Sequence, residues 1–188
     1  MMRWIANVCI VLMCVVHTAW GAPEPFTVCS GYECSRSDTL TLSDGQWREI
    51  RVLFTPAASA REERVSIRRA IARMEQMVGE RNGTSADLGG NVAGGGMPGQ
   101  MDCIDESRNT TTYLELLRQD GLLRRHEVRE RAQRGKWVID VHWTAVIRDT
   151  DSGQLYAVDS WFLDNGEEPY IQKLEDWLDK KDFAKQDE

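Results

Sequence analysis

The apolar residues of this chain change period at Gly121: before it they recur every three to four positions, and from there to Phe162 at every second position. Such a pattern packs helices from the first part of the chain on antiparallel strands from the second, an α+β class. Ser43-Asp-Gly-Gln-Trp47 opens the first expected helix, with Trp47, Ile50, Val52, Leu53 and Phe54 apolar and Pro56 as its stop. Residues 59–81 carry Val65, Ile67, Ile71, Met74 and Met77 as a core stripe, ended by Asn82-Gly83. Asp102 caps a third helix, whose apolar set is Ile104, Tyr113, Leu114, Leu116 and Leu117 and whose stop is Asp120-Gly121. Residues 126–133, 136–147 and 155–162 read as three antiparallel strands, the last two joined by a polar turn over 149–154. Residues 170–183 read as a closing amphipathic helix.

The N-terminus bounds where such a domain works. Arg3 precedes an apolar run over 5–16, and Ala19 and Gly21 form a small-residue cleavage pattern, so residues 1–21 read as a signal peptide. The run is too short to span a bilayer comfortably, and no stable membrane insertion is expected after cleavage. The chain is therefore expected to be exported, to the periplasm or the cell exterior, as a single domain over 22–183 with a frayed tail at 184–188. Loss of Arg3 moves the formal charge from −7 to −8, which disfavours nucleic acid and anionic membrane surfaces as partners.

Cleavage leaves three cysteines, Cys29, Cys34 and Cys103, in a compartment where disulfides persist. Cys29-Ser-Gly-Tyr-Glu-Cys34 encloses a glycine turn that could close as a local disulfide and leave Cys103 as a free thiol; a bridge from Cys103 to Cys29 or Cys34 is the alternative. Residues 82–100 are glycine-rich and read as a mobile loop able to bring backbone close to Cys103, and they lack the Lys-Ser/Thr ending of a phosphate loop. Asn82-Gly-Thr and Asn109-Thr-Thr match the glycosylation sequon.

Cys103 falls in the first turn of its helix, where unsatisfied N–H groups and the macrodipole favour thiolate, although Asp102, Asp105 and Glu106 surround it with opposing charge. His142 lies inside an apolar strand and needs a partner there. His126, in Arg124-Arg-His-Glu, reads as a surface residue. A turn centred between Thr150 and Asp151 sets His142 directly opposite Asp159, itself an acid inside a strand, and any even-length loop keeps both on one face. Imidazole and carboxylate then explain each other, as a catalytic pair or as a structural lock on the hairpin.

A Cys opening a helix, a His in one strand and an Asp in the next, in that chain order, resembles the transglutaminase-like superfamily of cysteine hydrolases. The resemblance covers residues 97–162 and rests on Gly99-Gln-Met-Asp-Cys103, Val141-His-Trp143 and Tyr156-Ala-Val-Asp159. It implies a papain-like fold with the nucleophile helix packed on an antiparallel sheet, Cys103 as nucleophile, His142 as base and acid, and Asp159 as orienter. By analogy with papain-like enzymes, Gln100 is the candidate oxyanion donor beside the Cys103 N–H. Trp161 is the candidate wall of a substrate groove, since strand alternation sends Trp143 to the face opposite His142.

The expected activity is that of a peptidase or amidase on a peptide or protein amide, or a transamidase, through an acyl-enzyme and without a cofactor. The alternative is a non-catalytic exported binding or structural module on the same fold. A metal site from Cys103, His142 and nearby carboxylates lacks the close ligand spacing of a zinc motif, so no metal is expected.

Overall fold

A computed structural model of the protein describes residues 21–54, 59–135 and 141–183. Residues 1–20 of the expected signal peptide over 1–21, the tail at 184–188 and the first part of the expected strand over 136–147 lie outside the described residues.

The chain is α+β, with four helices and two antiparallel sheets among the described residues. A hairpin of β1 (Phe26–Ser30) and β2 (Arg36–Leu40) precedes α1 (Asp44–Arg51) and α2 (Ala60–Asn82). A short 3-10 turn, Thr84–Ala86, then leads through the glycine-rich segment to α3 (Cys103–Gln119). Strands β3 (His126–Arg134), β4 (His142–Asp149), β5 (Leu155–Asp159) and β6 (Tyr170–Lys173) form the second sheet in that order, and α4 (Leu174–Leu178) closes the fold.

The caps explain the helix boundaries. Ser43, Ser59 and Asp102 each accept the N–H three residues on, and the side chain at that position reaches back to the cap N–H, closing a capping box on all three helices. Each cap is worth about 1 kcal/mol. Gly83 ends α2 at φ +86°, a conformation that favours glycine.

The core forms where α1, α2 and α3 meet one face of the second sheet. Trp47 and Ile50 of α1, Ile67, Ile71 and Met74 of α2, and Tyr113, Leu114 and Leu117 of α3 are buried together with Ala145, Ile147 and Val158. Shortening Leu114 or Leu117 to Ala would cost about 2–5 kcal/mol. This packing lays α3 against β4 and β1, which brings its N-terminus to the start of β4.

Three expectations are corrected. Residues 170–183 are not one helix: Tyr170–Lys173 pairs with β5 as a fourth strand, and only Leu174–Leu178 is helical. The apolar positions of strand and helix run on at a spacing that imitates one helix. The β4/β5 hairpin pairs Arg148 with Leu155 and Ala145 with Val158, two residues out of the expected register, so Asp159 sits diagonal to His142 rather than opposite it. A shift of two keeps both on one face. His126 is not a surface residue: its imidazole is buried, with Nδ1 2.8 Å from Glu63 Oε1 and Nε2 3.2 Å from Arg64 Nη1.

Candidate active site

Cys103 is the first residue of α3 and is a free thiol, because Cys29 and Cys34 are joined by a disulfide. Asp102 Oδ1 accepts the N–H groups of Ile104 at 3.0 Å and Asp105 at 2.9 Å, so the cap fixes the turn that carries the sulfur. The disulfide loop grips the same turn from outside. Tyr32, Glu33 and Cys34 all have positive φ, at 71°, 54° and 56°, and their successive N–H groups converge as an anion-binding nest. Tyr32 N and Cys34 N donate to the two oxygens of Asp105 at 2.7 and 2.6 Å, and Glu33 N donates to Asp102 Oδ2 at 2.9 Å. A left-handed conformation costs a non-glycine residue about 1–2 kcal/mol, which these charge-assisted bonds offset.

One turn and a half further along α3, Asn109 accepts the Cys29 N–H at 2.7 Å and donates to the Cys29 carbonyl at 2.9 Å. This sequon asparagine is buried and its amide is spent on β1.

His142 opens β4 and Asp159 ends β5. His142 Nε2 lies 2.7 Å from Asp159 Oδ2, with both side chains buried. Asp159 is held by two further donors: Trp177 Nε1 at 2.7 Å on the same Oδ2, and the Trp161 N–H at 3.3 Å on Oδ1. A carboxylate only accepts, so the imidazole proton sits on Nε2 and the Nδ1 lone pair is left for another partner. The imidazole is walled by aromatic rings, with centroids 4.9 Å away for Trp161, 5.0 Å for Phe162 and 5.6 Å for Trp177. Trp177, from α4, was not legible as a site residue, since its only signal is that a buried indole N–H needs an acceptor.

Cys103 and His142 line one cavity of about 680 Å³, together with Tyr32, Arg134, Trp161 and Phe162. Trp161, the expected groove wall, is one of these lining residues. Gln100 is elsewhere: its Nε2 donates to the Ala86 carbonyl and its Oε1 accepts from Asn91 Nδ2, so the amide is engaged inside the glycine-rich segment. That segment is tied to the site's rim. Gly90 N donates to the Trp161 carbonyl at 2.7 Å, the Tyr32 hydroxyl donates to the Asn91 carbonyl, and Gly89 N donates to Asp164 at 2.8 Å. Gly89 passes so close to Leu163 that a Cβ there would lie 2.6 Å from its backbone.

Burial pushes the Cys103 thiol up, and the charges of Asp102 and Asp159 push the same way against the backbone N–H of Trp143. These outweigh the thiolate preference expected at a helix N-terminus. The sulfur is set as a neutral thiol, its S–H directed at the Val141 carbonyl, 3.9 Å away.

Behind the site, Glu75 of α2, Glu106 of α3 and Asp87 form a buried carboxyl cluster that the sequence did not reveal. Glu75 Oε2 accepts the Gly166 N–H at 3.0 Å, and Asp87 Oδ1 accepts the Met101 N–H at 2.7 Å, two residues before Cys103. Burial raises Glu75 to about 7 and Asp87 to about 6, and it raises Glu106 well above the carboxylate range, with the charges of Glu75 and Asp87 adding to it. Glu106 therefore stays protonated and donates to Asp87.

Cys103, His142 and nearby carboxylates do not form a metal-ligand group among the described residues. The one group with that spacing there is Cys29, Cys34 and Asp105, whose two sulfurs are bonded to each other.

Compared with known proteins, the chain matches no family model, no curated protein and no solved structure. The geometry above therefore carries the functional reading alone.

Proposed function

We propose that the protein is a thiol hydrolase of the transglutaminase-like, papain-like kind, exported and acting on a peptide or protein amide. The observation that carries this reading is the buried His142 and Asp159 pair opening onto the cavity that Cys103 also lines. Because the surroundings favour a neutral thiol, the working resting state is thiol and imidazole rather than a preformed ion pair. His142 Nδ1 takes the thiol proton as sulfur attacks the amide carbon, and the Cys103 N–H, in the first turn of α3, donates to the oxyanion. The C–N bond then breaks, the imidazolium returns the proton to the leaving amine, and a thioester remains on Cys103. Water, deprotonated by His142, attacks the thioester, releasing the carboxylic acid and the thiol; an amine in place of water makes the same step a transamidation. Asp159 holds the tautomer throughout and stabilises the imidazolium. The disulfide fits an oxidising compartment and so supports export.

The second reading, a non-catalytic module, is favoured by the neutral thiol directed at the Val141 carbonyl. Treatment with p-nitrophenyl acetate separates the two. The hydrolase reading predicts a thioester on Cys103, seen by mass spectrometry, that forms and is hydrolysed. A Cys103 that is not acylated, or that acylates at the same rate in His142→Ala, favours the module.

A further inference from the structure

We propose that the Cys29–Cys34 disulfide is a positioning element of the site: by closing the nest over residues 32–34, it holds the first turn of α3, and so Cys103, in register with His142. In its effect on chemistry the proposal rests on the hydrolase reading; in its effect on α3 it does not.

The loop meets α3 at both ends of the disulfide. Cys29 is clamped by Asn109 through both its N–H and its carbonyl, and Cys34 donates to Asp105. Between them, Tyr32 and Glu33 donate to Asp105 and Asp102, the residues that flank Cys103 and close the capping box on its turn. The loop therefore holds the two carboxylates that define the cap, and Gly31 N adds a bond to the Gln100 carbonyl, on the approach to Cys103.

Three consecutive non-glycine residues at positive φ are not a conformation the free chain adopts. The disulfide closes the loop covalently across five positions and restricts it to shapes near this one. Cut, the loop relaxes toward ordinary backbone, and residues 32–34 withdraw their N–H groups from Asp102 and Asp105. Two carboxylates beside the thiol then lose the amide dipoles that balance them, and the cap that aims Cys103 slackens. The same release frees Tyr32, whose hydroxyl ties the glycine-rich segment through Asn91 and whose ring lines the cavity.

The chemical event is a thiol–disulfide exchange with a dithiol. One dithiol sulfur attacks Cys29 or Cys34 and displaces the other as a thiol. The second dithiol sulfur then resolves the mixed disulfide, so that two electrons and two protons pass to the protein and the dithiol closes on itself. An exported chain of this kind would carry a slack site before its disulfide forms and an assembled one after.

The test compares the oxidised protein with the same protein reduced by dithiothreitol, read by amide hydrogen exchange, and adds the variant Cys29→Ser/Cys34→Ser, read by iodoacetamide labelling of Cys103 with and without His142→Ala. On reduction, amides at 32–34 and at Ile104 and Asp105 should exchange about tenfold faster or more, with those of β4 unchanged. In the double-serine variant the His142-dependent part of Cys103 labelling at neutral pH should fall about tenfold. Unchanged exchange at these amides overturns the proposal. So does a His142-dependent rate that is equal with and without the disulfide, and in that case the hydrolase reading stands. Faster exchange at these amides in a protein whose Cys103 never responds to His142 leaves the positioning of α3 intact and removes the hydrolase reading instead. If the double-serine variant does not fold, hydrogen exchange on the reduced protein decides alone.

Discussion

The indole Nε1 of Trp177 lies 2.7 Å from Asp159 Oδ2, the same oxygen that faces His142 Nε2. One carboxylate oxygen thus holds a catalytic candidate from β4 and an anchor from α4, and the fully buried Trp177 ring fixes the carboxylate from behind. Replacing Trp177 with Phe removes the donor and puts a smaller ring in a fully buried site. A hydrogen bond to a charged group contributes about 1.5–3 kcal/mol and the space left by the smaller ring adds to its loss, so Trp177→Phe should lower stability by at least that amount in urea unfolding and slow Cys103 acylation severalfold.

The buried cluster of Glu75, Asp87 and Glu106 makes stability depend on pH. Glu75 and Asp87 bind protons more tightly folded, at about 7 and about 6, than in the unfolded chain. Below their unfolded values all are protonated in both states and no penalty exists. As pH rises through the folded values, ionising them inside the fold costs stability, about 3 kcal/mol for Glu75 alone when fully expressed. The melting temperature should therefore fall between pH 5 and pH 8 on the order of several degrees. Glu106 is already neutral, so Glu106→Gln keeps the donor toward Asp87 and should keep the fall, whereas Glu75→Gln removes the group that ionises near pH 7, and its thermal melts across that range should be flatter than those of the parent.

Glu63 behaves with the opposite sign. Burial alone would raise it, but bonds from His126 and from the N–H groups of Arg124 and Arg125 bring it below its ordinary value. Its contribution is present above about pH 4.5 and lost as pH falls through the lowered value. Glu63→Ala leaves two backbone donors and an imidazole unsatisfied, which should cost about 3–5 kcal/mol in denaturant unfolding. Because this pair braces the start of β3 far from the cavity, Cys103 reactivity in the folded variant should match that of the parent.

These residues also mark how far the sequence could be read. Helix starts and stops were legible because their causes are local: Ser43, Ser59 and Asp102 accept from neighbours three residues on, and Gly83 and Gly121 take positive φ. That His142 and Asp159 share a face was legible too, since parity along strands survives an error of two in register. The exact register was not. The Asp149 carboxylate accepts the N–H groups of Asp151 and Ser152, which draws the turn toward 151–153. His126 was misread because the residue that justifies its burial, Glu63, is on another element. The same holds for the nest over 32–34, whose purpose appears only once Asp102 and Asp105 stand against it. Gln100 was assigned by analogy of spacing, which cannot tell that Ala86 and Asn91 claim its amide.

The central claim is that Cys103, His142 and Asp159 work as one unit. Its most direct test is iodoacetamide labelling of the oxidised protein across pH, with the modified cysteine located by mass spectrometry, in the parent, His142→Ala and Asp159→Asn. Because burial pushes the thiol up, the main rise in labelling should come above the free-thiol value of about 8.5. Below it, at neutral pH, His142 acting as base should sustain a slower rate that drops about tenfold in both variants. A single alkaline rise, identical in all three proteins, would contradict the claim and leave Cys103 as a buried thiol beside a structural histidine.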